Sequence, residues 1–313
     1  MKIVFLDAKT IGEDIDLSGF DALGEVVKYG FSTAQEARER SKDADVLILN
    51  KVQVNEQTIG EADHLKLVCV TATGTNNLDK EYLDKRGITW RNVAGYSTES
   101  VAQHTFAMLF YLLEKLPYYD NYVKSEKYVN DVSFTHFAKA FHELSGMTYG
   151  IIGLGNIGRR VVDIAKAFGC RVIYYSTSGR NSQPGYERVS FDELLEQSDI
   201  VSIHAPLDEN TLGLMNKEAF AKMKKSAILL NVGRGPIINE ADLAEALNNK
   251  TIASAGLDVL SVEPMQEDNP LRGIKDSERL LITPHIAWAG VEARNRLMGI
   301  ILGQIKEFFK AHE

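Results

Sequence analysis

The chain has 313 residues, 44% of them hydrophobic and 25% charged, with a formal net charge of −8. This composition is that of an ordinary globular protein, and the length exceeds what one hydrophobic core usually serves, so two domains are expected. The acidic balance and the absence of a Lys/Arg run argue against nucleic acid as a partner, and no stretch has the roughly 18 consecutive apolar residues that a membrane helix needs.

The N-terminal apolar run is too short for a signal peptide and is broken by Asp7. Short β-branched runs then alternate with helical patterns almost from end to end, which predicts an α/β fold with parallel sheets. Residues 3–6, 46–49, 67–70 and 89–91 read as strands, with polar helical segments at 34–42 and 79–86. Residues 98–116, apolar from Thr105 to Leu113, read as one long, largely buried helix that Pro117 stops and that crosses between domains. A second series starts at Met147, with strands at 148–152, 171–175, 200–204, 227–232, 254–258 and 280–283. Six strands separated by helices match a complete doubly wound dinucleotide-binding sheet. Residues 176–188 read as a loop. The last segment, 291–310, is amphipathic, with apolar residues at 297, 300, 301, 305 and 308, and is placed to complete the smaller N-terminal unit. Cys69 and Cys170 each sit in an apolar run, which predicts free buried thiols in a reducing compartment, hence a cytoplasmic protein.

Gly153-Leu154-Gly155-Asn156-Ile157-Gly158 is a G-x-G-x-x-G. Such loops are common, but this one follows a strand and opens a helical pattern, 157–168. There, one glycine makes the tight turn, one lets the backbone approach a pyrophosphate, and one lets helix and strand pack closely. The helix N-terminus presents unpaired N–H groups to the phosphates. The next strand ends at Ser176, where a carboxylate for the ribose 2′-hydroxyl of NAD is expected. With Arg180 nearby, a 2′-phosphate would be tolerated, although Arg180 reads equally well as a solvated loop residue. NAD(H) is slightly favoured and NADP(H) stays open.

Reducing a 2-keto acid needs a cation for the carboxylate and carbonyl, an acid to protonate the carbonyl oxygen, and a carboxylate that keeps that acid charged. Arg234, Glu263 and His285 fit these roles, each just beyond the carboxyl end of an expected strand, where open α/β sheets bind ligands. Singly, they read as a loop charge, a cap and a buried polar residue. In this order after the glycine loop, they are far more specific.

The chain resembles the D-isomer-specific 2-hydroxyacid dehydrogenases, and within them the glycerate dehydrogenase (hydroxypyruvate reductase) branch, over nearly its full length. The resemblance rests on Ala72-Thr73-Gly74-Thr75-Asn76-Asn77, Gly95-Tyr96-Ser97-Thr98-Glu99-Ser100-Val101-Ala102-Gln103-His104-Thr105, Asn231-Val232-Gly233-Arg234-Gly235, Asp258-Val259-Leu260-Ser261-Val262-Glu263-Pro264 and Thr283-Pro284-His285-Ile286-Ala287-Trp288.

It implies two Rossmann-like domains with doubly wound parallel sheets and the active site in the interdomain cleft. Residues 1–98 with 286–313 would form the substrate domain and 99–285 the dinucleotide-binding domain. The 98–116 region would serve a two-fold homodimer. His285 would be the general acid/base, Glu263 its partner, and Arg234 the clamp on the substrate. Asp258 would bind the nicotinamide carboxamide, and Val232 and Gly233 would line the nicotinamide. His204, Ala205, Pro206 and Thr211 would lie along the adenosine. Thr73 and Gly74 would offer backbone N–H groups to the substrate carboxylate, and Lys51 would add positive charge or be a plain surface lysine. No metal is expected.

The implied activity is reduction of a small 2-keto acid such as hydroxypyruvate or glyoxylate. A formate dehydrogenase is disfavoured, because those relatives carry glutamine where Glu263 stands. A phosphoglycerate dehydrogenase-like enzyme is the alternative, though no appended regulatory domain is expected beyond His285. An NAD-sensing corepressor is a remoter one.

Overall fold

The computed structural model describes residues 1–180, 184–276 and 278–311. The chain forms two compact units, Met1–Ser97 with Ala289–Glu313, and Thr98–Trp288. Residues 286–288, which the resemblance places with the first unit, lie with the second, because Ala287 and Trp288 pack into its core.

The first unit is a five-stranded parallel sheet in the order β2-β1-β3-β4-β5. Its strands are β1 (Lys2–Phe5), β2 (Glu25–Lys28), β3 (Val46–Leu49), β4 (Leu67–Val70) and β5 (Thr89–Arg91). The two strands β3 and β4 are buried along their whole length, the signature of a sheet covered on both faces. The sequence gives no sign of β2. It holds only Val26 and Val27 between charged residues, and it becomes a strand by pairing Lys2 through Phe5 with Glu25 through Lys28 at the sheet edge. The helices α1 (Ala34–Ser41), α2 (Glu56–Ile59) and α3 (Lys80–Lys85) connect the strands. The C-terminal helix, Val291–Lys310, buries Leu297, Met298, Ile301 and Ile305. Ile300 falls just outside that arc and is exposed. Arg294 ties this helix down by a two-pronged bond to Asp14, 2.6 and 2.8 Å, and a 2.9 Å bond to the carbonyl of Ile11.

The second unit is a seven-stranded parallel sheet in the order β12-β11-β10-β9-β6-β7-β8. The strands are β6 (Thr148–Ile152), β7 (Arg171–Tyr175), β8 (Glu187–Arg188), β9 (Ile200–Ile203), β10 (Ile228–Asn231), β11 (Ser254–Leu257) and β12 (Leu280–Ile282). The chain leaves β6 in one direction through β7 and β8, then returns to build the other half from β9 onward. The switch point therefore falls between β6 and β9, where such sheets bind dinucleotides. β8 lies inside the stretch expected to be loop. Both its residues are exposed and polar, so only their pairing with Ile173 and Tyr174 marks them as strand. Asn181, Ser182 and Gln183 of that stretch lie outside the described residues.

Helices α4 (Thr98–Leu113), α6 (Asn156–Ala167), α7 (Phe191–Gln197), α8 (Lys217–Lys222) and α9 (Glu240–Asn248) cover this sheet, and α5 (Leu116–Lys124), with no buried residue, lies beside α4. The expected single helix 98–116 is shorter. It ends at Leu113, Lys115 turns left-handed at φ 55°, and Pro117 sits in the first turn of α5. Proline lacks an N–H, which the first turn of a helix does not need, so Pro117 starts a helix rather than stopping one. Cys69 and Cys170 are free and buried, and burial pushes their thiols up to about 12 and about 11. Among the described residues no helix is long and apolar enough to cross a membrane.

Candidate active site

The glycine loop occupies the carboxyl end of β6. Gly153 has φ +94°, and a Cβ there would lie 2.7 Å from the backbone nitrogen of Ala205, so its turn admits no other residue without strain. The loop therefore packs directly on Ala205, in the segment that follows β9. Gly155 differs: a Cβ on it would meet nothing within 4 Å. Gly155 is the N-cap of α6 and supplies no side chain to the first-turn N–H groups. An open backbone at an uncapped helix N-terminus is what a pyrophosphate requires. Ser176 follows β7 directly and is 3% exposed, so the residue after β7 is a buried serine and not a carboxylate. Thr211 is fully buried; its hydroxyl donates to the carbonyl of Pro206, 2.7 Å, and accepts from the N–H of Asp208, 2.8 Å. Its observed role is to close the 206–211 turn.

Glu263 and His285 meet. The Nδ1 of His285 lies 2.7 Å from Oε2 of Glu263, while Oε1 accepts the N–H of Leu260 at 3.0 Å. A carboxylate only accepts, so Nδ1 carries a proton and Nε2 is left to exchange one. Both side chains are about a third exposed or less, at 27% and 32%, so the pair is reachable yet partly desolvated. His285 has φ 56°, a left-handed conformation unusual for a residue with a side chain. Its N–H bonds to the carbonyls of Asp258 and Thr283, at 2.8 and 2.9 Å, which holds it there. Strained residues of this kind cluster at functional sites.

Beneath the pair lies Asp258, 1% exposed. Its carboxylate accepts from the hydroxyl of Thr283 (2.7 Å) and the N–H groups of Ile286 (2.8 Å) and Ala287 (2.9 Å). His104 of α4 bonds Thr283 through Nε2 at 3.0 Å. Asp258 thus staples down the segment that bears His285. His104 and Thr283 stand inside the motifs that carry the resemblance, but only the fold shows what they bond.

Arg234 begins the short 3-10 turn Gly235–Ile237 after β10. Asn231 braces the loop, its amide donating to the Arg234 carbonyl and accepting the N–H of Gly233, at 2.9 and 3.0 Å. The guanidinium donates to the Gly233 carbonyl at 2.7 Å. A Cβ on Gly235 would overlap Leu260 and Ser261, at 1.9 to 2.3 Å. The loop of Arg234 therefore lies in backbone contact with the loop that leads to Glu263.

In the first unit, Lys51 is exposed just past β3. The buried carboxylate of Asp7, at the end of β1, accepts the N–H groups of Asn50, Lys51 and Val52, at 2.7 to 3.3 Å. Burial pushes that carboxyl above the usual range, against the pull of the three N–H groups. Asp7 thereby sets the backbone at Lys51, a role that sequence position alone does not reveal. Thr73 is exposed, and its hydroxyl bonds the Val93 carbonyl at 3.0 Å; Gly74 follows it and is half-buried.

Residues 106–287 match the family model described as D-isomer specific 2-hydroxyacid dehydrogenase, NAD binding domain. The chain belongs to this family. It is an NAD-binding-type oxidoreductase of the class acting on CH–OH groups. The dehydrogenase is 38% identical to hydroxypyruvate reductase of Blautia hydrogenotrophica, with 99% of this chain and 97% of the relative covered. It is 33% identical to glycerate dehydrogenase of Methylorubrum extorquens, with 98% and 96% covered. The D-lactate dehydrogenase of Aquifex aeolicus, solved with NAD and lactic acid, superposes with a TM-score of 0.85 at 26% identity, covering 99% of this chain and 96% of that one.

Proposed function

We propose that this dehydrogenase reduces a small 2-keto acid of the hydroxypyruvate or glyoxylate type to the D-2-hydroxy acid, with His285 as general acid. The observation that carries the reading is the bond from His285 Nδ1 to Glu263, which fixes the tautomer and leaves Nε2 as the proton donor. When bound, the nicotinamide dinucleotide supplies the hydride. Glu263 favours the charged imidazolium, because an adjacent carboxylate stabilises a cation. Arg234 offers a planar fork suited to bidentate contact with the carboxylate and carbonyl oxygens of the substrate. Lys51 and the backbone at Thr73 and Gly74 take the substrate carboxylate. Oxidation of the hydroxy acid uses the same groups in reverse, with His285 as base.

Gly153 through Gly158, with Leu154, Asn156 and Ile157 between the glycines, hold the pyrophosphate. His204, Ala205 and Pro206 with Thr211 border the adenosine, and Val232 and Gly233 border the nicotinamide. The carboxamide contact expected for Asp258 would use acceptor capacity left on a carboxylate that already takes three donors. NADH is the favoured cofactor, and the serine at 176 leaves NADPH usable at a measurable rate.

A homodimer is part of this reading. Val129, Val132, Phe134 and Phe137 are at least 80% exposed within one segment, a concentration of apolar surface that a lone soluble chain rarely leaves to water. The two free thiols suit a reducing, cytoplasmic setting.

A panel of 2-keto acids, including hydroxypyruvate, glyoxylate and phosphohydroxypyruvate, assayed against NADH and NADPH tests the proposal. Turnover of the small uncharged-tail acids with D-product supports it. Preference for the phosphorylated acid would make the enzyme phosphoglycerate dehydrogenase-like, and no turnover of any acid would overturn the reading. Sedimentation at assay concentration tests the dimer.

A further inference from the structure

Glu240, the first residue of α9, is an unassigned carboxylate with both oxygens in use. Oε1 accepts the N–H of Ser261 at 2.6 Å, and Oε2 accepts the side-chain amide of Asn269 at 2.7 Å. Neither bond serves its own helix. The α9 N-terminus is already capped by Asn239, whose side chain accepts the N–H groups of Ala241 and Asp242. A glutamate in a first helical turn ordinarily complements the helix dipole from solvent. Here it points to the loop after β11 instead.

That loop bears Glu263, and one peptide unit in it is gripped from several sides. The Leu260–Ser261 peptide lies against the Gly235 backbone. Glu240 takes its N–H. The preceding N–H, that of Leu260, goes to Glu263 itself. Glu240 and Gly235 both follow Arg234 within one short stretch of chain. The same stretch that presents the guanidinium therefore also fixes the loop that presents the carboxylate to His285.

We propose that Glu240 is a positioning residue for the acid/base pair: its carboxylate locks the Glu263 loop to the Arg234 segment, so that the His285–Glu263 bond keeps its geometry through the reaction. This rests on the role given above to the Glu263–His285 pair. Glu263 bonds His285, and Asp258 and His104 face the segment that bears it, Asp258 through its bonds to Thr283, Ile286 and Ala287 and His104 through Thr283. Freeing the loop weakens the bond to Glu263 and with it the stabilisation of the imidazolium.

The test compares Glu240→Gln and Glu240→Asp, each alone and combined with Glu263→Gln. The readouts are the pH profile of kcat for keto-acid reduction, the NADH dissociation constant and the melting temperature. Glutamine keeps the length but cannot accept both bonds as an anion; aspartate keeps the charge but loses the reach. Both should move the falling limb of reduction to lower pH, by about half a unit or more, with NADH affinity unchanged. Neither should move it further once Glu263 is glutamine. The proposal is overturned by an unmoved profile in both variants, by a shift in Glu240→Gln alone (a through-space charge effect), or by a shift that persists in the Glu263→Gln background. If Glu263→Gln itself leaves the profile in place, the role of the pair fails first, and that result is separate from any failure of Glu240.

Discussion

The Nδ1 of His285 and the Oε2 of Glu263 lie 2.7 Å apart, across 22 positions of sequence. The contact joins the loops after β11 and β12, adjacent parallel strands whose carboxyl ends lie side by side. Parallel pairing carries each chain over the sheet in the same direction, so residues just past successive strands gather along one edge.

Because His285 is the only partner in this pair able to give up a proton from a nitrogen facing away from Glu263, His285→Ala should cut kcat by roughly 10²–10⁴-fold. NADH binding, followed by fluorescence, should stay near the wild-type value. Near-normal turnover of the purified variant would remove His285 from the mechanism.

Replacing Glu263 with glutamine deletes the negative charge while keeping the side-chain length. The imidazolium loses its stabilising neighbour, so it surrenders its proton at lower pH. The falling limb of the reduction profile should therefore move to lower pH, with maximal rates reached only under more acidic conditions. An unchanged profile counts against this role.

The glycine loop separates two kinds of requirement. Gly153→Ala places a methyl group on the Ala205 backbone at positive φ, so it should lower the melting temperature markedly. Gly155→Ala meets no protein atom and should fold normally, yet bind NADH about tenfold or more weakly. Unaltered NADH affinity in Gly155→Ala would show that the loop does not hold the pyrophosphate.

His204 bonds Ser202 through Nε2 at 2.8 Å, and burial lowers its ionisation to about 3 from the ordinary 6.5. The folded state thus binds fewer protons at this residue than the unfolded state between those values. Its contribution to stability is complete above about 6.5 and is lost as pH falls toward about 3. Urea unfolding of the wild type should weaken more steeply over that range than unfolding of His204→Gln. Equal slopes would show that His204 does not carry the acid sensitivity.

Much of this architecture is legible one residue at a time. Buried parallel strands need unbroken apolar runs, so β3, β4, β6 and β7 announce themselves, and the glycines at 153, 155 and 158 mark a strand-to-helix turn. Arg234, Glu263 and His285 stand out because each closely follows such a run. The edge strands β2 and β8 do not, since an exposed strand is made by its neighbour's hydrogen bonds rather than by its own side chains. Pro117 shows a similar limit: a residue that ends one helix and a residue that begins the next look alike until the preceding turn is seen.

The amino-acid order by itself determined where the buried strands and the main helices form and which side chains are chemically fit for the reaction, because periodicity and residue type act locally. Only the tertiary structure decided how those side chains are held: Asp258 and Thr283 under His285, Glu240 and Gly235 against the Glu263 loop, Asp7 beneath Lys51. The three carboxylates among these, Asp258, Glu240 and Asp7, accept backbone N–H groups 21 to 45 positions away, and any acidic residue can make such contacts, so no spacing or residue type identifies them before the chain is folded.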